Sequence, residues 1–243
     1  MNIGGTGSLS TMSTTSMDFT RASSTPGVIG TYNLNVPVTC SGEIKTHSGS
    51  VLNINSDTQT NTLVHSANDA KHQTFINVNN NSILTVDGKI DLAENENSGA
   101  SLSVESGATV QTTTIKTSNV FNNGEGNIAI SNNGTINAES ISVLSDLLNN
   151  GNIKTTSSLH AKKIENNHKI SSATLTAQDS LINKGEIFAE TLLSASKIEN
   201  NGSITSNTEI SFNEFSGTGT INLKGALSKS ESNLTAYIKN LII

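Results

Sequence analysis

Apolar side chains return along this chain at a step of seventeen residues. From Ile136 the column continues through Ile153, Ile170, Ile187, Ile204 and Ile221. A second column runs beside it: Ile130, Leu147, Ile164, Leu181, Ile198 and Phe215. A third is polar and consists of Asn132, Asn149, Asn166, Asn183 and Asn200, with Gly217 next in line. A fourth marks a turn: Gly134, Gly151, His168, Gly185, Gly202 and Gly219. Between these columns the apolar spacing is two, as in Leu175-x-Ala177 and Ile187-x-Ala189, which places both side chains on one face of a strand. Seventeen residues are too few for a strand–helix–strand unit, and each unit carries its own Asn or Gly turn signal. A coiled solenoid stacks each residue on its counterpart one turn below, and like residues in columns are what it requires.

The first half shows the same alternation at uneven spacing: Leu34-Val36-Val38-Cys40, Leu52-Ile54, Ile76-Val78, Leu84-Val86, Leu102-Val104 and Ile128-Ile130. DTQTNT (57–62) and SANDAKHQ (66–73) read as loops thrown out from longer coils. The expected organisation is a flexible Ser/Thr/Gly-rich leader over 1–29 and a parallel β-helix over 30–225, with irregular coils over 30–130 and 17-residue coils over 131–225. A C-terminal cap over 226–243 completes it. In SNLTAYIKNLII, Leu234, Tyr237, Ile238, Leu241 and Ile242 fall at helical spacing, with Ser230 or Ser232 near the start. This predicts a short amphipathic helix that caps the open end of the solenoid.

Composition agrees with a thin, repeated core. Of the 243 residues, 33% are hydrophobic, 14% charged and 3% aromatic, with no tryptophan. Disorder normally accompanies high charge and few β-branched residues, the reverse of what is seen. The net charge of −6 and a single arginine, Arg21, argue against nucleic-acid binding. Cys40 is the one cysteine, so an internal disulfide is excluded; it continues the apolar alternation and reads as a small buried side chain. No apolar run approaches the roughly 20 residues of a membrane-spanning helix. The N-terminal stretch lacks the basic and apolar regions of an ordinary secretory signal. It reads as a leader, with a non-cleaved export signal as the alternative.

The repeats in LLNNGNIKTTSSLHAKKIENNHKISSATLTAQDSLINKGEIFAETLLSASKIENNGSI resemble those of filamentous-haemagglutinin-type bacterial exoproteins over roughly 120–222, with a weaker echo over 30–120. The resemblance implies an all-β fold, a right-handed single-stranded parallel β-helix. It also implies a bacterial exported protein, secreted or held at the cell surface, of the adhesin kind.

Candidate chemistry is sparse. Leu147, Asn149, Gly151 and Ile153 share one parity, so Asn149 is expected to face inward unless the glycine bend breaks that parity. The asparagines Asn132, Asn149, Asn166, Asn183 and Asn200 then form a structural ladder of stacked amides. His168 is expected as a surface turn residue, and His160 lacks a carboxylate partner for metal binding. His65, Asp69 and His72 lie close in sequence, in what reads as a solvated loop. Asp87 and Asp91 flank the turn of VDGKID and read as a solvated hairpin-like feature rather than a catalytic pair. No catalytic, cofactor or metal site is expected. The functional expectation is a non-enzymatic protein whose repetitive surface meets a host or cell-surface protein or glycan, with a secretion chaperone as a further candidate partner. The alternatives are an effector or scaffold delivered into host cells by specialised secretion, and a bactofilin-like polymerising scaffold. A functional surface is expected where the period breaks: 57–73, 91–100, His168 or the chain ends.

Overall fold

A computed structural model describes residues 2–3, 11–19, 30–66, 74–93, 100–118, 128–229 and 240–242. Alternating apolar positions make strands throughout, and every strand pair among the described residues is parallel. One ladder passes from Met12–Phe19 through Val38–His47, Thr58–Ser66, Ile83–Leu92 and Thr109–Thr117 to Thr135–Val143. A second passes from Gly30–Leu34 through Ser50–Ile54, Thr74–Val78, Ala100–Val104 and Ile128–Asn132 to Asp146–Asn149. The two ladders then merge. Asn152–Asn166 pairs at its start with Thr135–Val143 and at its end with Asp146–Asn149, so this one strand is a whole coil. Lys169–Asn183 and Glu186–Asn200 stack on it in the same way. Register shifts between Lys154 and Ser158 and between Ala161 and Lys163 divide the coil into three straight runs. The result is a parallel β-helix.

The core is one layer deep per coil. Ile136, Ile153, Ile170, Ile187, Ile204 and Ile221 are buried, as are Leu147, Ile164, Leu181 and Ile198. Each such side chain removed from water contributes about 1.5–3 kcal/mol. Outward positions alternate with these, so a narrow core suffices and the apolar fraction stays low. The bends take small inward residues: Ala161, Ala177 and Ala195 stack at one of them. At another, Thr60 bonds the carbonyl of Thr62 and Ser172 that of Thr174, at 3.1 and 2.6 Å. Cys40 occupies this hydroxyl column, in register with Thr14 and Thr60, and its sulfur bonds the Glu43 carbonyl at 3.5 Å.

Four expectations need correction. Within 1–29, read as a flexible leader, Met12–Phe19 is a strand paired to Val38–Thr46. Met17 and Phe19 are buried, and the Phe19 ring lies 4.9 Å from that of Tyr32. In DTQTNT all but Asp57 belong to the strand Thr58–Ser66 rather than to a loop; Thr58 and Thr60 face inward, with their hydroxyls bonded to main-chain carbonyls. VDGKID runs within the continuous strand Ile83–Leu92, bending at Gly88 instead of reversing. Finally, the cap region is not helical where it is described. Ala226–Lys229 pairs with Glu209–Phe212, and Asn240–Ile242 pairs with Thr220–Asn222, placing Leu241 in register with Ile221. Leu234, Tyr237 and Ile238 of the expected helix lie, with the rest of 230–239, outside the described residues.

Candidate functional site

Two corners of the coil carry the chemistry and the variation. The first is the Asn-Gly corner. Asn132, Asn149, Asn166, Asn183 and Asn200 are fully buried. The Asn132 amide nitrogen donates to Asn149 Oδ1 at 2.7 Å, Asn149 to Asn166 at 2.7 Å, Asn166 to Asn183 at 2.8 Å and Asn183 to Asn200 at 2.7 Å. Each also donates to a main-chain carbonyl twenty residues on, such as Lys169 for Asn149 at 3.0 Å. Buried amides in an apolar layer must be paired, and every coil pairs them in the same way. The turn glycines follow from close stacking. A β-carbon on Gly185 would collide with the His168 carbonyl oxygen below it, and one on Gly202 with that of Gly185. Gly217, at φ +113°, sits directly on the Asn200 main chain and ends the ladder. His168 carries a side chain in the glycine column; Lys169 N lies 3.2 Å from Gly151 O on one side of it, and Glu186 N donates to the His168 carbonyl at 2.6 Å on the other.

Further asparagine ladders line the outside, one with uneven steps of 20 and 24 residues and one with the regular step of 17. Asn77 donates to Asn53 and Asn53 to Asn33, each at 2.8 Å. Asn167 donates to Asn150 at 2.8 Å and Asn150 to Asn133 at 2.9 Å. This outer ladder donates toward the N-terminus, whereas the inner one donates toward the C-terminus, so neighbouring amide dipoles oppose one another.

At the second corner the chain leaves the described coil after Phe19, Ser66, Ala93 and Ser118, and returns at Gly30, Thr74, Ala100 and Ile128. The ladder registers stack these points: Phe19 over Thr46, Thr46 over His65, Leu92 over Thr117, and likewise Gly30 over Ser50 and Thr74 over Ala100. The described residues on either side of 20–29, 67–73, 94–99 and 119–127 therefore stack at one corner of the coil. Polar groups are buried beside it. His47 Nε2 meets Asp18 Oδ1 at 2.7 Å, Thr74 donates to the His47 carbonyl at 2.9 Å, and His65 Nδ1 lies 3.4 Å from the Thr46 hydroxyl. Asp69, His72 and Arg21 lie outside the described residues.

The outer faces carry scattered ion pairs: Lys184 with Glu165 at 2.8 Å, Lys197 with Glu214 at 2.9 Å and Lys169 with Glu186 at 3.5 Å. The hydrogen bond from Lys184 holds the Glu165 carboxyl below its usual range, and burial pushes Asp146 up despite Lys163 and Lys162 nearby. Asp87 accepts from Gln59 at 3.3 Å and Asp91 pairs with Lys89 at 3.0 Å, so each carboxylate has its own partner. His160 is half-buried on an outward column between Ser142 and Thr176, and His168 is exposed at its turn; the fold does not bring the two together. Among the described residues no three His, Cys, Asp or Glu side chains group to hold a metal ion, and no helix is long and apolar enough to cross a membrane.

No protein-family model, curated protein or solved structure matches this chain.

Proposed function

We propose that the chain is a non-enzymatic β-helix protein, exported from a bacterium, that binds a host or cell-surface protein or glycan through one side of a rigid rod. One observation carries this reading: the described residues flanking four segments of the chain, 20–29, 67–73, 94–99 and 119–127, stack at a single corner. Stacked coils fix where each insertion begins and ends, and repeat proteins commonly bind through the side on which their insertions gather. The uninterrupted coils from Asn152 to Asn200 supply length and stiffness. Replacing 67–73, 94–99 and 119–127 with the short corner that joins Ala161 to Ile164 tests the reading. Thermal stability is retained and binding to cells is lost; binding that survives all three replacements rejects the corner as the contact surface.

A polymerising scaffold is the second reading. It is favoured by Met12–Phe19, which pairs along one edge only among the described residues and so offers the other for a further coil. Filaments in negative-stain images of the pure protein support it, and a monodisperse monomer at high concentration rejects it.

A further inference from the structure

Three asparagines among the described residues precede glycine: Asn133, Asn150 and Asn201. In an unfolded chain this pair is chemically unstable. The glycine main-chain nitrogen loses its proton and attacks the asparagine side-chain carbonyl carbon, forming a C–N bond. Ammonia leaves and a five-membered succinimide remains; water then opens the ring to aspartate or isoaspartate. The attack requires a glycine N–H free of hydrogen bonding and an asparagine side chain able to swing over it.

The solenoid withholds both at the Asn-Gly corner. Gly134 N–H donates to Asn132 Oδ1 at 3.2 Å, and Gly151 N–H donates to Asn149 Oδ1 at 3.3 Å. The reacting side chains are also held. Asn150 donates to Asn133 at 2.9 Å and accepts from Asn167 at 2.8 Å, so neither Asn133 nor Asn150 turns inward without breaking the outer ladder. Asn201 differs in two respects: its following amide, Gly202 N–H, donates to the main-chain carbonyl of Asn183 at 3.1 Å, not to a side chain, and its own side chain donates to Glu199 at 2.8 Å and accepts from Thr218 N at 3.2 Å instead of joining the outer ladder.

We propose that Asn133 and Asn150 are conditional deamidation sites, gated by the buried asparagine beside each of them. The inner ladder then has a second role besides fixing register: its carbonyl oxygens occupy the two glycine nitrogens that would otherwise react. Conversion at Asn150 removes the donor to Asn133, adds a carboxylate to an amide ladder and, as isoaspartate, lengthens the main chain in a turn stacked against its neighbours. A chain modified before it folds is thereby marked and impaired.

The test is isoaspartate mapping by peptide mass spectrometry on the full chain, incubated folded and in urea at mildly alkaline pH. Folded protein converts at Asn133 and Asn150 at least about tenfold more slowly than the urea-unfolded chain, the factor set by a local opening free energy of about 1.4 kcal/mol. Asn132→Val frees Gly134 N–H and accelerates conversion at Asn133, leaving Asn201 unchanged. Asn166→Val breaks the same kind of ladder bond without touching Gly134, and leaves Asn133 slow. Equal rates in folded and unfolded chain overturn the proposal. So does equal acceleration by the two variants, which assigns the protection to general rigidity.

Discussion

Asn149 gives its side-chain amide to Asn166 at 2.7 Å and takes that of Asn132 at the same distance. Each interior asparagine of the ladder is thus bonded both above and below, while Asn200 accepts from Asn183 and donates onward only to the Thr220 main chain, at 3.0 Å. Replacing Asn166 with leucine removes the ladder donor to the buried Asn183 side-chain oxygen, at a cost of about 1–3 kcal/mol, and leaves the Asn149 amide only its main-chain acceptors, Gly151 and Lys169. Denaturant midpoints are expected to fall for Asn166→Leu and Asn183→Leu, and to fall less for Asn200→Leu. Unchanged midpoints in the first two variants contradict a buried ladder.

The glycine column makes a steric prediction. Gly185→Ala drives a β-carbon into the His168 carbonyl oxygen, and loss of more than about 1 kcal/mol is expected. His168→Ala, where a β-carbon is already accommodated, changes stability by no more than about 0.5 kcal/mol. Equal effects measured by thermal melting refute the close approach.

Asp146 gives a pH signature. Burial raises its carboxyl above the ordinary value, so the folded state favours the neutral acid. The favourable contribution is complete below the unfolded pKa and disappears as pH rises through the folded one. Asp146→Asn is therefore expected to stabilise at pH 7, and the gain should vanish near about pH 3, where Asp is neutral in both states. Glu165 acts in the opposite sense. Its carboxyl is held low by Lys184, and that contribution is lost as pH falls through the folded pKa. Lys184→Met should flatten the acid limb of the stability profile. An acid limb unchanged in Lys184→Met, or a gain in Asp146→Asn that persists in acid, contradicts these assignments.

Cys40 stands in a hydroxyl column and is 2% exposed. Cys40→Ser and Cys40→Thr should each cost less than about 1.5 kcal/mol, because the carbonyl acceptor at Glu43 suits a hydroxyl donor. The native thiol should resist a chromogenic thiol reagent until the coil is unfolded; immediate labelling of the folded protein shows the assignment to be wrong.

The regular half was legible because identical residues in stacked coils repeat at identical intervals, and the inward parity of Asn149 followed from Leu147 and Ile153. The strand at Met12–Phe19 was harder to read: Met12, Met17 and Phe19 mark its inward side, but a hydroxyl residue, Thr14, stands between them where an apolar one would be diagnostic. Thr58 and Thr60 misled in the same way, because a threonine whose hydroxyl bonds a carbonyl can face a core. Leu241 shows the converse. Its spacing to Leu234, Tyr237 and Ile238 suits a helix, but an unpaired strand edge at Thr220–Asn222 offers a longer-range partner that local periodicity does not reveal. The insertion corner was invisible in sequence because only the register of the ladders shows that segments of unequal length leave from one place.

Cysteine pairing across coils tests the stacked register most directly. In a Cys40→Ser background, Lys154→Cys with Ser171→Cys places two thiols on directly opposed outward positions of adjacent parallel strands, about 4.8 Å apart and within disulfide reach. Ser171→Cys with Phe188→Cys is the equivalent pair one coil on. Both should oxidise rapidly to intramolecular disulfides without loss of stability, while Lys154→Cys with Phe188→Cys, two coils apart, should not. Failure of the adjacent pairs, or equal closure of the two-coil pair, contradicts a seventeen-residue parallel coil.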